Sequence, residues 1–331
     1  MIASVAFQRF KALREARVEL RPFNLIIGPN GSGKTSLIQA LLRLRTLARL
    51  NAGRSAAPQP DREDGPVMEF RFAAPHDGAV VRLSCVSDLV CDRIEFSGVS
   101  GEERTALEAE IGGIRAYLFD HYAMAAGGAP EKGLELAANG ANLAAVLANL
   151  QAGHQAKFAR LQTELVRIMP EFAAIDFHRP TASHVQLALR LQDEDAPVTA
   201  ENLSQGTLYV LGMMFLAFHP RPPTVVGIEE IDRGIHPRML REVRDLLYRL
   251  SYPADFRASH PPVQIVATTH SPYLLDLFKD HPEEIIISQK HGTSAHFERL
   301  SDREDLPELL AEGSLGDIWF SGILGGVPEE E

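Results

Sequence analysis

The sequence contains only two cysteines, Cys85 and Cys91, and has no excess of positive charge. Five residues separate the cysteines, a spacing that matches neither a zinc site nor a redox motif. We therefore expect two free thiols that serve packing in a reducing compartment. The formal net charge of −11 argues against broad, non-specific binding to nucleic acid, although a local basic face is still compatible with it.

Long apolar runs are also missing. The longest, Leu208 to Phe218, is far shorter than the about 20 residues that a membrane-spanning helix needs. No basic and then apolar leader follows Met1, so no secretion signal is expected. With 331 residues, 45% of them hydrophobic, the chain can bury a large core in one big domain or two. These features predict a soluble cytoplasmic protein that makes no contact with a membrane.

The sequence does contain a glycine-rich motif between an apolar run and a helical pattern. Residues 28–35 read Gly-Pro-Asn-Gly-Ser-Gly-Lys-Thr and fit the pattern G-x-x-x-x-G-K-[ST]. Glycines let successive backbone N–H groups surround a phosphate, and the following helix points its positive end at the same anion. Lys34 is expected to reach the β- and γ-phosphates, and the Thr35 hydroxyl to hold Mg²⁺. We therefore predict an ATP site formed by Asn30, Gly31, Ser32, Gly33, Lys34, Thr35 and Ser36.

After residue 200, apolar strands alternate with helical segments, which predicts a mainly parallel sheet. Ahead of the motif, residues 2–27 read as three short strands, and a helix at 35–50 and a polar loop at 51–66 follow it. We expect the core to consist of 1–74 and 196–331, with 75–195 as an inserted, mostly helical lobe. The prediction is a single α/β domain with a mainly parallel sheet and an N-terminal antiparallel β subdomain.

Three later motifs add chemistry to the glycine-rich loop. An apolar strand ends in Glu229 and Glu230, where one carboxylate could bind Mg²⁺ and the other could orient or deprotonate a water. Ser204 and Gly206 open a helix whose hydroxyl and N–H groups could bind a γ-phosphate. His270 follows another apolar strand, at the edge where ligands collect in α/β folds. Taken alone, the two acids read better as a solvated pair, the helix start reads as an ordinary cap, and a lone histidine is usually structural.

Taken together and in this order, the four motifs closely resemble the ABC-type ATPases of the SMC, RecF and OLD branch. Residues 10–13, Phe-Lys-Ala-Leu, resemble the N-F-K-S-[FL] element of that branch, and 234–237 resemble the turn after its Walker B strand. Residues 315–322 are similar to the tail of small bacterial AAA-family ATPases, OLD-like but without a Toprim domain. The resemblance covers essentially the whole chain.

The resemblance implies a role for each of these residues. Glu229 would hold Mg²⁺ together with Thr35, Glu230 would be the catalytic carboxylate, and His270 would sense the γ-phosphate. Lys11 would belong to the nucleotide site. The chain departs from the usual pattern because Glu229 stands where most relatives have Asp, and because no Q-loop glutamine can be placed.

The resemblance also implies a homodimer with ATP at its interface. The chain has one Walker A motif and one signature motif, and in this branch the two face each other only across subunits. Ser204 and Gly206 would then contact the γ-phosphate held by the partner. The function implied is an ATPase that works as an ATP-dependent dimerisation switch, in DNA maintenance, DNA repair or phage defence.

Other functions stay open on the sequence. One is a slow, nucleotide-gated protein that recruits an effector protein, and a less favoured one is the nucleotide-binding subunit of a transporter. A full OLD-type nuclease has too little room, because only 61 residues follow His270. DNA is a further partner to consider, and its contacts would come from a local arginine face. The candidate arginines are Arg43, Arg45 and Arg49, or Arg238, Arg241 and Arg244.

Overall fold

The computed structural model describes residues 1–51, 65–129, 133–181, 183–193, 196–292 and 294–324. Most of the polar loop expected at 51–66 lies outside these residues. The chain forms two compact units. The first consists of Met1–Ala116, Pro223–Ile231 and Val263–Glu331, and the second of Tyr117–Pro222 and Asp232–Pro262.

The strands of the described residues, in chain order, are β1 (Ile2–Phe10), β2 (Leu13–Glu19), β3 (Phe23–Ile27), β4 (Val67–Phe72), β5 (Val80–Cys85), β6 (Cys91–Ser97), β7 (Ile114–Tyr117), β8 (Phe172–Thr181), β9 (His184–Leu191), β10 (Pro197–Thr199), β11 (Val225–Ile228), β12 (Gln264–Thr268), β13 (Ile285–His291) and β14 (Ser294–Arg299). The α-helices are α1 (Lys34–Asn51), α2 (Gly101–Gly112), α3 (His121–Ala125), α4 (Leu143–Gly153), α5 (Gln155–Ile168), α6 (Gln205–Phe218), α7 (Leu240–Ser251), α8 (Pro272–Asp276), α9 (Leu306–Glu312) and α10 (Leu315–Phe320).

An antiparallel sheet in the first unit has the strand order β2-β1-β4-β5-β6. Its strands alternate between a buried and a solvent face, as a sheet covered on one side does. Val5 and Phe7 of β1 lie in the buried core together with Leu37 and Leu41 of α1. The expected N-terminal antiparallel β subdomain is confirmed, and α1 covers its inner face.

The second sheet of the first unit has the order β14-β13-β3-β12-β11-β7 and is mainly parallel, as predicted. Strands β3, β11 and β12 are buried along their whole length, which explains why they read as apolar runs. In the register, Ile228 lies opposite Ala267, and Thr268 lies opposite Ile26. The carboxyl ends of these three neighbouring strands therefore meet at one edge of the sheet.

The second unit combines α3 to α7 with a small antiparallel sheet of order β10-β9-β8. Its limits differ from the lobe expected at 75–195, because 75–116 belong to the first unit, where β5 and β6 complete the antiparallel sheet. The described residues between 75 and 195 hold five strands beside four helices. Strand β8 is hard to read from the sequence, since Phe172 and Ile175 are its only buried side chains and leave no alternating pattern.

Helix α6 contains the longest apolar run, and its residues are almost all buried within the second unit. It has 14 residues. Among the helices of the described ranges, none is long and apolar enough to cross a membrane.

The two cysteines differ from the expectation of free thiols. Cys85 and Cys91 pair across β5 and β6 and are joined by a disulfide bond. The spacing alone could not predict this bond, because the two sulfurs meet only through the register of the β5–β6 hairpin. The expectation of two unpaired thiols was wrong.

Candidate nucleotide-binding site

The sheet edge of the first unit brings together three of the predicted motifs. The glycine-rich loop follows β3, the acid pair follows β11, and His270 comes two residues after the end of β12. Because β3, β12 and β11 are neighbours and parallel, these segments leave the sheet side by side. This is the edge where parallel α/β sheets bind their ligands.

Glycine is required at two positions of the loop by close contacts and positive φ angles. A Cβ on Gly28 (φ 153°) would lie 2.1 Å from the carbonyl oxygen of Ser288, and one on Gly33 (φ 99°) would lie 2.7 Å from Leu13. Ser32 is fully buried, and its hydroxyl has no hydrogen-bond partner among the described residues. A buried, unpartnered hydroxyl in a loop of this shape fits a phosphate oxygen as its partner.

The ammonium group of Lys34 is folded back onto the loop. It donates to the carbonyl oxygens of Gly28 and Pro29, at 2.7 and 2.8 Å, and the residue is only 8% exposed. Burial lowers the pKa of Lys34 to about 8, and the charges of Glu230 and Glu229 offset only part of that effect. The site therefore holds a poorly solvated amine that a phosphate group would stabilise in its charged form.

Thr35 and Glu229, the two residues expected to hold Mg²⁺, lie side by side. The Thr35 hydroxyl donates to Oε2 of Glu229 at 2.9 Å. In the described part of the chain no three His, Cys, Asp or Glu side chains cluster to hold a metal. The pair nevertheless fits Mg²⁺, which proteins usually bind through one or two side-chain oxygens together with phosphate and water.

Glu230 occupies a strained turn that β12 stabilises. Its φ of 52° is left-handed, a conformation that costs free energy in a residue other than glycine. Thr268 supports the turn twice: its hydroxyl accepts from the N–H of Glu230, and its carbonyl accepts from that of Ile231, both at 3.0 Å. The Glu230 residue itself is exposed. Thr268 was missed by sequence reasoning, although its place at the end of β12 was a usable signal.

The turn that carries His270 is fixed on both sides. The N–H of Thr269 donates to the carbonyl oxygen of Ile26 at 3.2 Å, and the N–H of Ser271 donates to the Thr269 hydroxyl at 3.0 Å. His270 itself is exposed. The structure thus places the predicted histidine at the same edge as the acid pair and the glycine-rich loop.

Lys11 lies in the turn between β1 and β2, with a left-handed φ of 55°. Its N–H donates to the carboxylate of Asp88 at 2.8 Å, and its ammonium group donates to the side chain of Gln39 on α1. The neighbouring Leu13 is the side chain that packs against Gly33. The turn that contains Lys11 therefore borders the glycine-rich loop. Gln39, to which the sequence assigned no role, is the hydrogen-bond partner of the Lys11 side chain.

The remaining loop residues differ in their exposure. Asn30 and Gly31 form the exposed tip of the loop, whereas Ser36 is buried in the first turn of α1. Backbone N–H groups in the first turn of a helix have no partner within that helix, which suits them for binding an anion.

Ser204 and Gly206 lie in the second unit, unlike the other predicted site residues. The Ser204 hydroxyl caps α6 by accepting from the N–H of Thr207 at 3.1 Å, and the residue is exposed. A Cβ on Gly206 would lie 2.6 Å from the carbonyl oxygen of Gly234, so the start of α6 packs directly on that turn. The second unit thus carries an exposed, capped helix start without a cation of its own in the motif.

Two of the arginines considered for DNA are engaged within their own unit. Arg43 donates to the carbonyl oxygens of Asp88 and Leu89 and lies over the ring of Phe10. Burial lowers the pKa of Arg43. Arg244 pairs with the neighbouring Asp245 at 2.8 Å. Neither arginine presents the free guanidinium group that a phosphate backbone would need.

The glycine-rich loop, the acid pair and the histidine lie at one edge of the mainly parallel sheet, in the same unit as the antiparallel sheet. Solved head domains of SMC proteins share this fold. One, bound to the C-terminal winged-helix domain of ScpA, has a TM-score of 0.59 at 13% identity over 91% of this chain and 99% of its own. The head from Thermotoga maritima gives 0.51 at 12% identity, over 90% and 98%. The head from Pyrococcus furiosus, with an extended coiled coil and the C-terminal domain of ScpA, gives 0.56 at 13%, over 94% and 99%.

A comparison with protein-family models identifies the sequence family of the chain. The family described as "AAA domain, putative AbiEii toxin, Type IV TA system" matches residues 23–276, more than half of the chain, so the protein belongs to this family of P-loop ATPase domains. The match includes the glycine-rich loop, Ser204, the acid pair and His270, and it ends at the last residue of α8. A search of curated protein sequences finds no match.

Proposed function

We propose that this protein binds ATP with Mg²⁺, hydrolyses it, and uses ATP to join two copies into a homodimeric switch. One observation carries the proposal. The Thr35 hydroxyl and Glu229 are 2.9 Å apart, while the next residue, Glu230, is held by Thr268 with its own side chain exposed. A metal-binding pair and a separate, solvent-facing carboxylate side by side are what hydrolysis of a bound nucleotide requires.

Each residue then has a defined task. Lys34 and the N–H groups of the loop neutralise the β- and γ-phosphates and hold them in place. Thr35 and Glu229 would hold Mg²⁺, which when bound would add further charge neutralisation. Glu230 accepts a proton from the attacking water, whose oxygen bonds to the γ-phosphorus while the bond to the leaving β-phosphate oxygen breaks. His270 contacts the γ-phosphate, so its surroundings differ between ATP and ADP.

The second copy supplies the signature motif in this proposal. Ser204 caps a helix of 14 residues, whose first N–H groups and hydroxyl can bind an anion but bring no fixed charge. A two-fold axis would pair each loop with the partner's Ser204 twice, the arrangement expected of a homodimer. Loss of the γ-phosphate would then remove the group that both copies bind, so hydrolysis would weaken the dimer.

For the cellular role we propose genome maintenance or phage defence in the cytoplasm, in which the switch recruits a partner protein. Internal contacts engage Arg43 and Arg244, two of the six arginines considered for DNA. Two of the similar SMC heads are bound to domains of ScpA, which makes a protein partner a reasonable analogy. A slowly hydrolysing, effector-recruiting protein is therefore the second candidate, and its low turnover with or without DNA would distinguish it.

The test mixes two variants that are inactive alone, Lys34→Ala and Ser204→Arg. If each site is built from two copies, a mixed dimer contains one doubly altered site and one intact site. We expect ATP-dependent dimerisation, measured by light scattering or analytical ultracentrifugation, to return on mixing. Some hydrolysis should return as well if one intact site is sufficient.

The matched control mixes Lys34→Ala with the double variant Lys34→Ala/Ser204→Arg, which leaves no intact site in either arrangement. Dimerisation should not return in this mixture. If the first mixture also stays monomeric, although labelled subunits demonstrably exchange, the two-copy site is wrong.

A further inference from the structure

Residues 314–319 overlap the tail motif at 315–322, to which the proposed function gives no role. They form the start and most of α10, and the family match ends before them, at Asp276. Leu315, Ile318 and Trp319, the only tryptophan of the chain, are buried, so α10 is firmly packed in the first unit. A helix packed in this way can hold a neighbouring segment in place.

Helix α8 packs against the start of α10. The N–H of Gly316 donates to Oδ1 of Asp276 at 2.7 Å. A Cβ on Gly316 would lie 2.7 Å from the carbonyl oxygen of Pro272 and 2.9 Å from Oδ2 of Asp276. The first and last residues of α8 therefore both meet the start of α10 at a position that only glycine can fill.

The chemistry of Asp276 explains why this contact exists. A carboxylate in the last turn of a helix interacts unfavourably with that helix's own dipole. At the start of α10, in contrast, backbone N–H groups have no acceptor within the helix. The Ser314 hydroxyl accepts from the N–H of Asp317 at 3.2 Å, and Asp276 accepts from the N–H of Gly316. Asp276 thus acts as a second cap for α10 and joins the two helices.

Helix α8 also begins directly at the His270 turn. Ser271 caps it by accepting from the N–H of Leu274 at 3.3 Å, and Ser271 is itself bonded to Thr269. With five residues α8 is too short to hold its position alone, so its place depends on its neighbours. Leu274 and Leu275 of α8 are fully buried, and just beyond the helix Phe278 packs against Phe23 of β3 at 5.3 Å between ring centroids. The contact with Gly316 adds support at both ends of α8.

We propose that the segment 314–319 is a latch that holds α8 and thereby positions His270. This inference deepens the proposed function, because the task of His270 as γ-phosphate sensor rests on it. Gly316 and Asp276 are positioning residues in this view, and neither needs to touch ATP.

The experiment compares Gly316→Ala and Asp276→Ala with two matched controls. Gly313→Ala adds the same methyl group three residues earlier, where the backbone is extended and the nearest atom would be 3.9 Å away. Asp276→Asn keeps an oxygen that can accept from Gly316. We expect the first two variants to lower kcat about tenfold at unchanged KM for ATP, because a small displacement of a catalytic group has such effects. Both controls should stay within about twofold of the wild type.

Two further measurements tie the effect to His270. Hydrogen exchange of the amides in 269–276 should rise in Gly316→Ala and Asp276→Ala but not in the controls, and this readout does not need hydrolysis. In a His270→Ala background, Gly316→Ala should cause no additional loss of kcat, since both act on one group. Asp276→Ala keeps the experiment informative if Gly316→Ala folds poorly.

The outcomes separate the latch from the proposed function. Unchanged exchange in both latch variants overturns the latch, and so does a loss of kcat that multiplies with that of His270→Ala. Equal turnover of His270→Ala and wild type instead contradicts the sensor role of His270, while the exchange data still decide whether 314–319 hold α8.

Discussion

In our proposal the two compact units carry phosphate-binding elements of opposite character. In the first unit, Lys34 brings a buried charge, and Glu229 and Glu230 bring carboxylates, all held at the ends of neighbouring strands. In the second unit, Ser204 and Gly206 offer a hydroxyl and helix N–H groups only. A buried ammonium group binds phosphate much more strongly than a neutral helix start does. We infer that the first unit determines whether nucleotide binds, and that the second can only respond to nucleotide already bound.

The two elements are also held in place differently. The acid pair depends on hydrogen bonds to another strand, since Glu230 keeps its left-handed turn through Thr268. The helix start of the second unit depends instead on close backbone packing between Gly206 and Gly234. Because Thr268 holds the backbone N–H groups of Glu230 and Ile231, the side chain of Glu230 can be changed without removing this support, which makes the first unit the better place to test the chemistry.

The largest effect should come from Lys34→Ala. The substitution removes the fixed positive charge on the β- and γ-phosphates and leaves the second unit unchanged. We expect no saturable ATP binding by calorimetry at concentrations that saturate the wild type. The melting temperature in the absence of ATP should not fall, because burial disfavours the charged amine that is lost. Wild-type affinity in this variant would contradict the assignment of the loop and remove the contrast between the units.

The next effect separates the two acids. Glu230→Gln should bind ATP normally but lose about 10²–10⁴-fold in turnover, because an amide cannot accept the proton of the attacking water. Glu229→Gln should instead weaken the dependence on Mg²⁺, since Glu229 is the partner of Thr35. Steady-state kinetics over a Mg²⁺ titration measure both. If Glu229→Gln abolishes turnover at saturating Mg²⁺ and Glu230→Gln does not, the two roles are reversed.

The sequence could predict the parts of the fold that rest on strong local patterns. Strands β3, β11 and β12 are buried on both faces and read as apolar runs, and the loop between β3 and α1 follows a motif with a known geometry. The acid pair and His270 could be found because ligands gather where such strands end. That these residues lie close together follows from the order of the strands in the sheet, and that order was implied by the family resemblance.

What the sequence could not predict depends on contacts between distant segments. The support of Glu230 by Thr268 requires the register of β11 against β12. The Cys85–Cys91 bond requires the pairing of a hairpin. The limits of the second unit depend on which sheet each strand of 75–195 joins, and a strand such as β8, with few buried side chains, does not reveal that locally.

The smallest expected effect is the uptake of a proton by Lys34 when ATP binds. The pKa of Lys34 is about 8, against 10.5 for an ordinary lysine, because burial disfavours its charged form. Between these two values the unfolded chain binds more protons than the folded one, so Lys34 makes the free energy of unfolding rise with pH in this range. A phosphate beside the amine favours the charged form and raises the pKa again. At pH 8.5 about three quarters of the Lys34 amines are neutral, and ATP binding should take up about 0.7 proton.

Calorimetry of ATP binding in buffers of different ionisation enthalpy measures this uptake, which should fall below about 0.1 proton at pH 7. Lys34→Arg is the control, because arginine stays charged at both pH values and should take up no proton at pH 8.5. Ser204→Arg should keep the full uptake, since in our proposal the second unit adds no titrating group to the nucleotide. Uptake that survives in Lys34→Arg would assign the proton to another group. Uptake lost in Ser204→Arg would mean that the neutral helix start already acts in the first binding step, and the division of tasks between the units would not hold.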